Sequence, residues 1–110
     1  MDNSASHRRI VKEAIRTYAQ PPSHGEIEVA TIFDDESDHY QLVLFGWNLG
    51  SRIHAVIPHL RLHDGKVWIE QDGTAEGIAT DLLEAGIPRE EIVLAFHSPW
   101  KRQFTEFAVA

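Results

Sequence analysis

The sequence predicts an α+β domain: a four-stranded antiparallel β-meander with an N-terminal helix and a C-terminal helix packed on the sheet, plus a short final strand or extended segment. Three observations support this prediction. Apolar residues recur at helical spacing near the start, apolar and polar residues alternate through the middle, and Asp64-Gly65 marks a tight hairpin. The 110 residues suit one domain covering positions 1–110.

The first predicted element is a helix from about Ser4 to Ala19. Asn3, Ser4 or Ser6 can cap its start, and Pro21-Pro22 cannot continue it. Its apolar positions are Ile10, Val11, Ala14, Ile15 and Tyr18. Their spacing predicts a single buried stripe that packs on the sheet.

Two strands follow in the prediction. Alternation from Ile27 to Phe33 is typical of a half-buried strand, and the acidic run 34–38 favours a solvated turn over a calcium loop. Residues 40–47 are apolar at nearly every position, which predicts a central strand covered on both faces, by a helix and by a partner subunit. We therefore expect a homo-oligomer.

The third and fourth strands form a hairpin whose register the Asp64-Gly65 turn sets. Pro58 predicts a bulge or an edge position in the third strand. The expected facing pairs are His63 with Lys66, Leu62 with Val67, Arg61 with Trp68, Leu60 with Ile69 and His59 with Glu70. This register places the four aliphatic residues on one face and the charged residues on the other.

A short helix is predicted next, with Thr74 in the capping position and Gly86 at its end. Pro88 can open one helical turn, and the apolar residues 92–96 predict a strand or an extended segment. Residues 97–110 show a mixed pattern that predicts no particular element.

Composition narrows the function. The chain has no cysteine, which excludes disulfides, thiolate catalysis and cysteine-based zinc sites. No apolar run is long enough for a membrane span, and the first residues lack the apolar core of a signal peptide, so a cytoplasmic location is expected.

The formal net charge of −7 argues against strong autonomous binding to nucleic acid. The first twenty residues nevertheless hold four basic and two acidic side chains. Arg8, Lys12 and Arg16 recur every fourth position and form a basic stripe. We interpret this stripe as a solvated helix face, with an acidic docking partner as the alternative.

Candidate chemistry is sparse. His59 and His63 share a strand face but lie about 13 Å apart, too far to bind one metal ion. Asp72, Glu76 and Asp81 could be acid/base carboxylates, but capping and helix-dipole effects explain the first two. We expect no cofactor, no structural metal and no catalytic constellation. Arg61 and Trp68 can stack across the hairpin, on a face that either a partner or the chain itself covers.

One long ordered series of segments resembles a known family. It includes Gly46-Trp47, Asp64-Gly65-Lys66-Val67-Trp68-Ile69, Gln71-Asp72-Gly73-Thr74, Ala85-Gly86-Ile87-Pro88 and Phe107-Ala108-Val109-Ala110. Together these segments resemble the XisI family, the fdxN element excision controlling factor proteins of cyanobacteria. The sequence departs from the family pattern at Ala95, Ser98 and Phe104, where Gly, Pro and Tyr are usual.

The resemblance implies an accessory role in excising a DNA element during heterocyst development, beside a site-specific recombinase and a XisH-like factor. It implies no catalytic residues. The leading hypothesis is therefore protein binding to a XisH-like partner or the recombinase. The expected contact residues are Arg61, Trp68, Asp72, Thr74, Glu76, Asp81, His97 and Arg102. The alternatives are a ligand-binding or enzymatic pocket near Asp72, Thr74, Glu76 and His97, and weak DNA binding through the basic stripe.

Overall fold

The computed structural model describes residues 4–21, 25–74 and 77–110. Its elements, in chain order, are α1 (Ser4–Thr17), β1 (Glu26–Asp34), β2 (His39–Asn48), β3 (Ser51–His63), β4 (Lys66–Gln71), α2 (Ile78–Glu84), a 3-10 turn (Arg89–Glu91), β5 (Ile92–Leu94) and α3 (Pro99–Arg102). None of the helices in these ranges is long and apolar enough to cross a membrane.

The five strands form one sheet in the order β1-β2-β3-β4-β5. The first four form the predicted antiparallel meander. The predicted short final strand is present as β5, but it joins the sheet beside β4 and runs parallel to it, so the sheet has five strands and is mixed, not four-stranded and antiparallel as predicted. Helix α2 returns the chain across the sheet before β5, and such a crossover is what a parallel neighbour requires. The predicted C-terminal helix is thus α2, an internal crossover followed by β5 and α3.

The hairpin register is confirmed from His63 to Leu60. Asp64 and Gly65 both have positive φ, 51° and 75°, as a type I′ turn requires. One predicted pair was wrong: His59 faces Gln71 rather than Glu70, because the register shifts between His59 and Leu60. A second shift lies between Gln41 and Val43 of β2. The irregularity that Pro58 predicted is therefore present, and β3 is an inner strand, not an edge.

The core lies between the two longer helices and one face of the sheet. Val11 and Ile15 of α1 and Ile78 and Leu82 of α2 are fully buried there. The sheet contributes Tyr40, Leu42, Leu60, Val67 and Ile69, each with no exposed surface. Burying one such aliphatic side chain stabilises the fold by about 1.5–3 kcal/mol. The predicted inward face of the hairpin is confirmed by these positions.

Helix α2 begins later than predicted. Its N-cap is Gly77, so Thr74 is not the capping residue. Asp72 performs that role, since its Oδ2 accepts a hydrogen bond from the Ile78 N–H at 3.0 Å. The predicted end is confirmed: Gly86 has φ 109°, and the Gly86 and Ile87 N–H groups donate to the Leu83 and Leu82 carbonyls. This pairing is a Schellman motif.

Candidate functional site

Trp68 lies at the centre of β4, on the sheet face opposite α1 and α2. Its neighbours Val67 and Ile69 point into the core, and alternation along the strand turns the indole the other way. The Trp68 Nε1–H donates to the His63 carbonyl at 3.1 Å. The imidazole of His63 meets the indole edge-on, with 5.7 Å between ring centroids. These contacts hold the half-buried indole in one orientation.

Two guanidinium groups contact the Trp68 ring. The Cζ atoms of Arg61 and Arg102 lie 4.9 and 5.5 Å from its centroid. The predicted stacking of Arg61 on Trp68 is therefore confirmed. Arg61 also donates from Nε to Glu70 Oε2 at 2.9 Å, which fixes its guanidinium. Each cation–π contact at a partly exposed site stabilises the pair by about 0.5–1 kcal/mol. We call Arg61, His63, Trp68, Glu70 and Arg102 the Trp68 cluster.

Arg102 connects this cluster to the C-terminal segment. Its Nε donates to the His97 carbonyl at 3.0 Å, and its two terminal nitrogens donate to the Ala95 and Val109 carbonyls at 3.2 and 3.4 Å. One side chain thus satisfies three carbonyls that lie outside any strand ladder. Residues 97–110, which show no clear sequence pattern, therefore fold around the Arg102 guanidinium, which itself contacts the Trp68 ring.

The fold of this segment exposes three aromatic rings. Trp100 is 67% exposed and Phe104 is 71% exposed, and their centroids lie 5.0 Å apart in an edge-on arrangement. Phe96 is 48% exposed and packs against the His97 ring at 4.6 Å. We call Phe96, Trp100 and Phe104 the C-terminal aromatic patch. The adjoining exposed rings of Trp100 and Phe104 mark an interaction site, because soluble monomers rarely leave clustered aromatic surface uncovered.

Sequence reasoning did not identify this patch, although a signal was present. Ser98-Pro99 is an N-cap followed by proline at the first helical position, and Trp100 and Phe104 are four residues apart. That spacing places both rings on one face of a helical turn. The Ser98 hydroxyl accepts a capping hydrogen bond from the Lys101 N–H at 3.4 Å.

The remaining predicted contact residues lie elsewhere. Asp72 Oδ1 accepts hydrogen bonds from the N–H and hydroxyl of Thr74, at 3.0 and 2.5 Å, while Oδ2 caps α2. Both carboxylate oxygens therefore serve local structure. Asp81 accepts a hydrogen bond from the Tyr18 hydroxyl, between α2 and α1 on the helical side of the sheet. Glu76 lies outside the described residues.

The seven predicted contact residues that the structure describes thus do not form a single surface. Arg61, Trp68, His97 and Arg102 come together on one side of the sheet. Asp81 faces α1 on the other side, and Asp72 with Thr74 belongs to the connection that enters α2. The first group, together with the aromatic patch, is the candidate protein-binding surface.

The basic stripe on α1 is not simply solvated. Arg8 pairs with Asp38 at 2.9 Å and Lys12 with Asp35 at 2.7 Å, while the Arg16 guanidinium lies 5.2 Å from the Phe33 ring centroid. The hydrogen bond from Lys12, followed by that from Tyr40, holds the pKa of Asp35 below its ordinary value. The stripe and the acidic turn therefore neutralise each other and join α1 to the β1–β2 hairpin.

A pair of histidines bridges β2 and β3. His39 Nδ1 lies 3.0 Å from His59 Nε2. Burial, and then the neighbouring His39, lower the pKa of His59. Among the residues that the structure describes, no group of three or more His, Asp or Glu side chains is placed to hold a metal ion. The expectation of no structural metal stays a prediction.

Comparison with known proteins identifies the family. No curated protein matches the chain. A XisI-like protein from Anabaena variabilis ATCC 29413 is 36% identical, covers 96% of this chain and 98% of its own, and superposes with a TM-score of 0.89. The fdxN element excision controlling factor XisI from the same organism is also 36% identical, with 96% and 97% coverage and a TM-score of 0.81. The family model described as XisI protein matches residues 1–109, and the chain belongs to the XisI family.

Proposed function

We propose that this protein is an accessory factor that controls excision of a DNA element, and that it acts by binding protein. Membership of the XisI family, and the likeness to a solved fdxN element excision controlling factor, support the excision role. The partner we propose is a XisH-like protein or the site-specific recombinase. We propose binding, not catalysis, as its mode of action.

The observation that best supports this proposal is the C-terminal aromatic patch. Trp100 and Phe104 are more than half exposed, yet Arg102 ties the segment that carries them to Trp68 and bonds three of its backbone carbonyls. A rigid aromatic anchor loses little conformational entropy when it docks into a partner. Such anchors supply most of the binding energy at many protein interfaces.

Charge favours a DNA-handling protein over DNA as the direct ligand. Arg8 and Lys12, two of the three residues of the DNA-binding alternative, already pair with carboxylates of the same chain. The whole chain carries a formal charge of −7, which repels a phosphate backbone and attracts a basic protein surface. We propose that this net charge speeds the encounter and that the aromatic patch makes the close contact.

The test is a binding measurement with the purified XisH-like protein and, separately, the recombinase. We expect the double variant W100A/F104A to bind its partner about 30-fold more weakly, since two anchor residues are removed. W68A should also weaken binding, because it removes the ring on which Arg102 rests. The control is L49A, in the β2–β3 turn, whose side chain is 98% exposed.

Circular dichroism must show that each variant is folded. Unchanged affinity of W100A/F104A for both candidate partners would contradict the proposed surface. Salt-sensitive DNA binding by the wild type alone would contradict the proposed mode of action.

A further inference from the structure

The three strands β1, β2 and β3 carry a charge pattern on the sheet face opposite the helices. In an antiparallel sheet, residues directly opposite each other point to the same face. The register aligns the residues of these strands in three successive rows: Glu26, Trp47 and Arg52; Glu28, Phe45 and His54; Ala30, Val43 and Val56. We call these nine residues the open face.

In the first two rows, each strand contributes one kind of side chain to the open face. There, β1 supplies the carboxylates of Glu26 and Glu28, β3 supplies Arg52 and His54, and β2 between them supplies apolar rings; the third row is apolar on all three strands. Strands lie about 4.8 Å apart, so the acidic and basic columns are separated by about 10 Å across β2. Within the described residues no ion pair includes Glu26 or Glu28, and the Arg52 Cζ lies 5.5 Å from the centroid of the Trp47 ring.

The apolar column is incompletely covered. Trp47 is 51% exposed and Phe45 is half-buried, although Val43 in the third row is only 8% exposed; α1 and α2 pack against the other face. A strand that is apolar on both faces normally requires cover on both. The open face therefore needs an occupant that is apolar at its centre and oppositely charged at its two margins.

A second copy of this chain meets that requirement. A two-fold axis that runs along β2, between two face-to-face sheets, places β1 of one copy over β3 of the other and keeps every row in step. Glu26 then faces the second copy's Arg52, Glu28 faces its His54, and Ala30 faces its Val56. The central Phe45 meets Phe45 of the second copy.

We propose that the protein forms a symmetric homodimer through its open face. This inference does not rest on the proposed function, since it uses only the sheet register and the charges of β1 and β3. The C-terminal aromatic patch lies outside the proposed dimer contact, because β4 and β5 extend beyond the strand that would cover β3.

The decisive experiment exchanges the charges of the two columns in separate variants. E26R/E28R makes both columns basic, and R52E/H54E makes both acidic; all four positions are exposed, so both variants should fold. Each variant alone should dissociate at least about tenfold more readily than the wild type, because like charges then face across the axis. An equimolar mixture of the two variants should restore association, since the basic columns of one variant then face the acidic columns of the other.

Sedimentation equilibrium provides the measurement, against a monomer mass of 12.5 kDa. F45E provides a second disruption, because it places two carboxylates on the axis, and L49E carries the same charge change outside the rows as its control. The proposal requires a dimeric wild type and L49E, a monomeric F45E, and rescue by mixing. A monomeric wild type at high protein concentration, or a mixture that associates no better than its components, overturns it.

Discussion

At the scale of single residues, the contact between His39 and His59 makes stability sensitive to mild acid. One imidazole must donate and the other accept across the 3.0 Å between their nitrogens, so the contact requires a neutral ring. Burial and His39 lower the pKa of His59, while Glu70 opposes that effect and Arg61 adds to it. The folded chain therefore keeps His59 neutral at a pH at which the unfolded chain takes up a proton.

The sign of the pH dependence follows from this difference. We expect the free energy of unfolding to fall as the pH decreases from about 7 to 5, through the ordinary histidine pKa of about 6.5. Urea unfolding at several pH values measures the slope, which H59Q should reduce. H54Q removes an exposed histidine and should leave most of the slope in place. Equal slopes in the wild type and H59Q would contradict this prediction.

Asp72 illustrates how far residue chemistry can be predicted from sequence. Its position before an apolar helical stripe predicts a cap, and the hydrogen bond to the Ile78 N–H confirms that interpretation. The same reasoning placed the cap at Thr74, because it assumed a single capping residue directly before the helix. Instead, Asp72 caps the helix from six residues before Ile78, whose N–H donates to its Oδ2. Its Oδ1 accepts a hydrogen bond from the Thr74 hydroxyl.

At the scale of elements, the close approach of β1 and β2 depends on Gly46. Its φ is 145°, and a Cβ placed there would lie 2.0 Å from the Glu26 carbonyl oxygen. We expect G46A to lower the free energy of unfolding by about 3 kcal/mol, from backbone strain and the displacement of β1. G50A is the matched control, because Gly50 also has positive φ, 80°, but has nothing within 4 Å of the added carbon. Equal losses in the two variants by chemical denaturation would show that the contact with β1 is unimportant.

The elements differ in how much of them local sequence determines. The β3–β4 hairpin was predictable because a two-residue turn fixes the register and alternation confirms it. The predicted register failed only at His59, where it shifts because of a bulge. Pro58 indicates that a bulge is present but not at which residue it occurs. The last segment was not predictable, because the bonds of Arg102 to His97, Ala95 and Val109 leave no periodic pattern in the sequence.

At the scale of the whole molecule, charge distribution acts through tertiary contacts that local patterns cannot reveal. The basic stripe and the acidic turn were each interpreted as solvated, because each is a run of like charges. The fold brings Lys12 to Asp35 and Arg8 to Asp38. The basic stripe and the acidic turn therefore form ion pairs that connect α1 to the β1–β2 hairpin. Arg8 and Lys12, which suggested a DNA-binding stripe in the sequence, therefore form ion pairs within the chain.

The two proposed surfaces divide the sheet between them. The open face uses β1, β2 and β3, whereas Trp68 and the segment around Arg102 lie at the β4–β5 side. In the proposed dimer the partner copy ends over β3, so both C-terminal aromatic patches stay accessible at opposite margins of the assembly. A dimer of this kind would present two equivalent binding surfaces, and a multimeric partner would gain affinity from simultaneous engagement of both.

This arrangement predicts that self-association and partner binding respond to different substitutions. F45E should become monomeric and yet retain the wild-type affinity for the XisH-like protein or recombinase at a single site, measured with the partner in solution. W100A/F104A should lose that affinity and remain dimeric, because Trp100 on α3 and Phe104 just after it contribute nothing to the three rows of the open face. Loss of both properties in either variant would show that one surface serves both contacts, since Phe45 and the aromatic pair would then belong to the same interface.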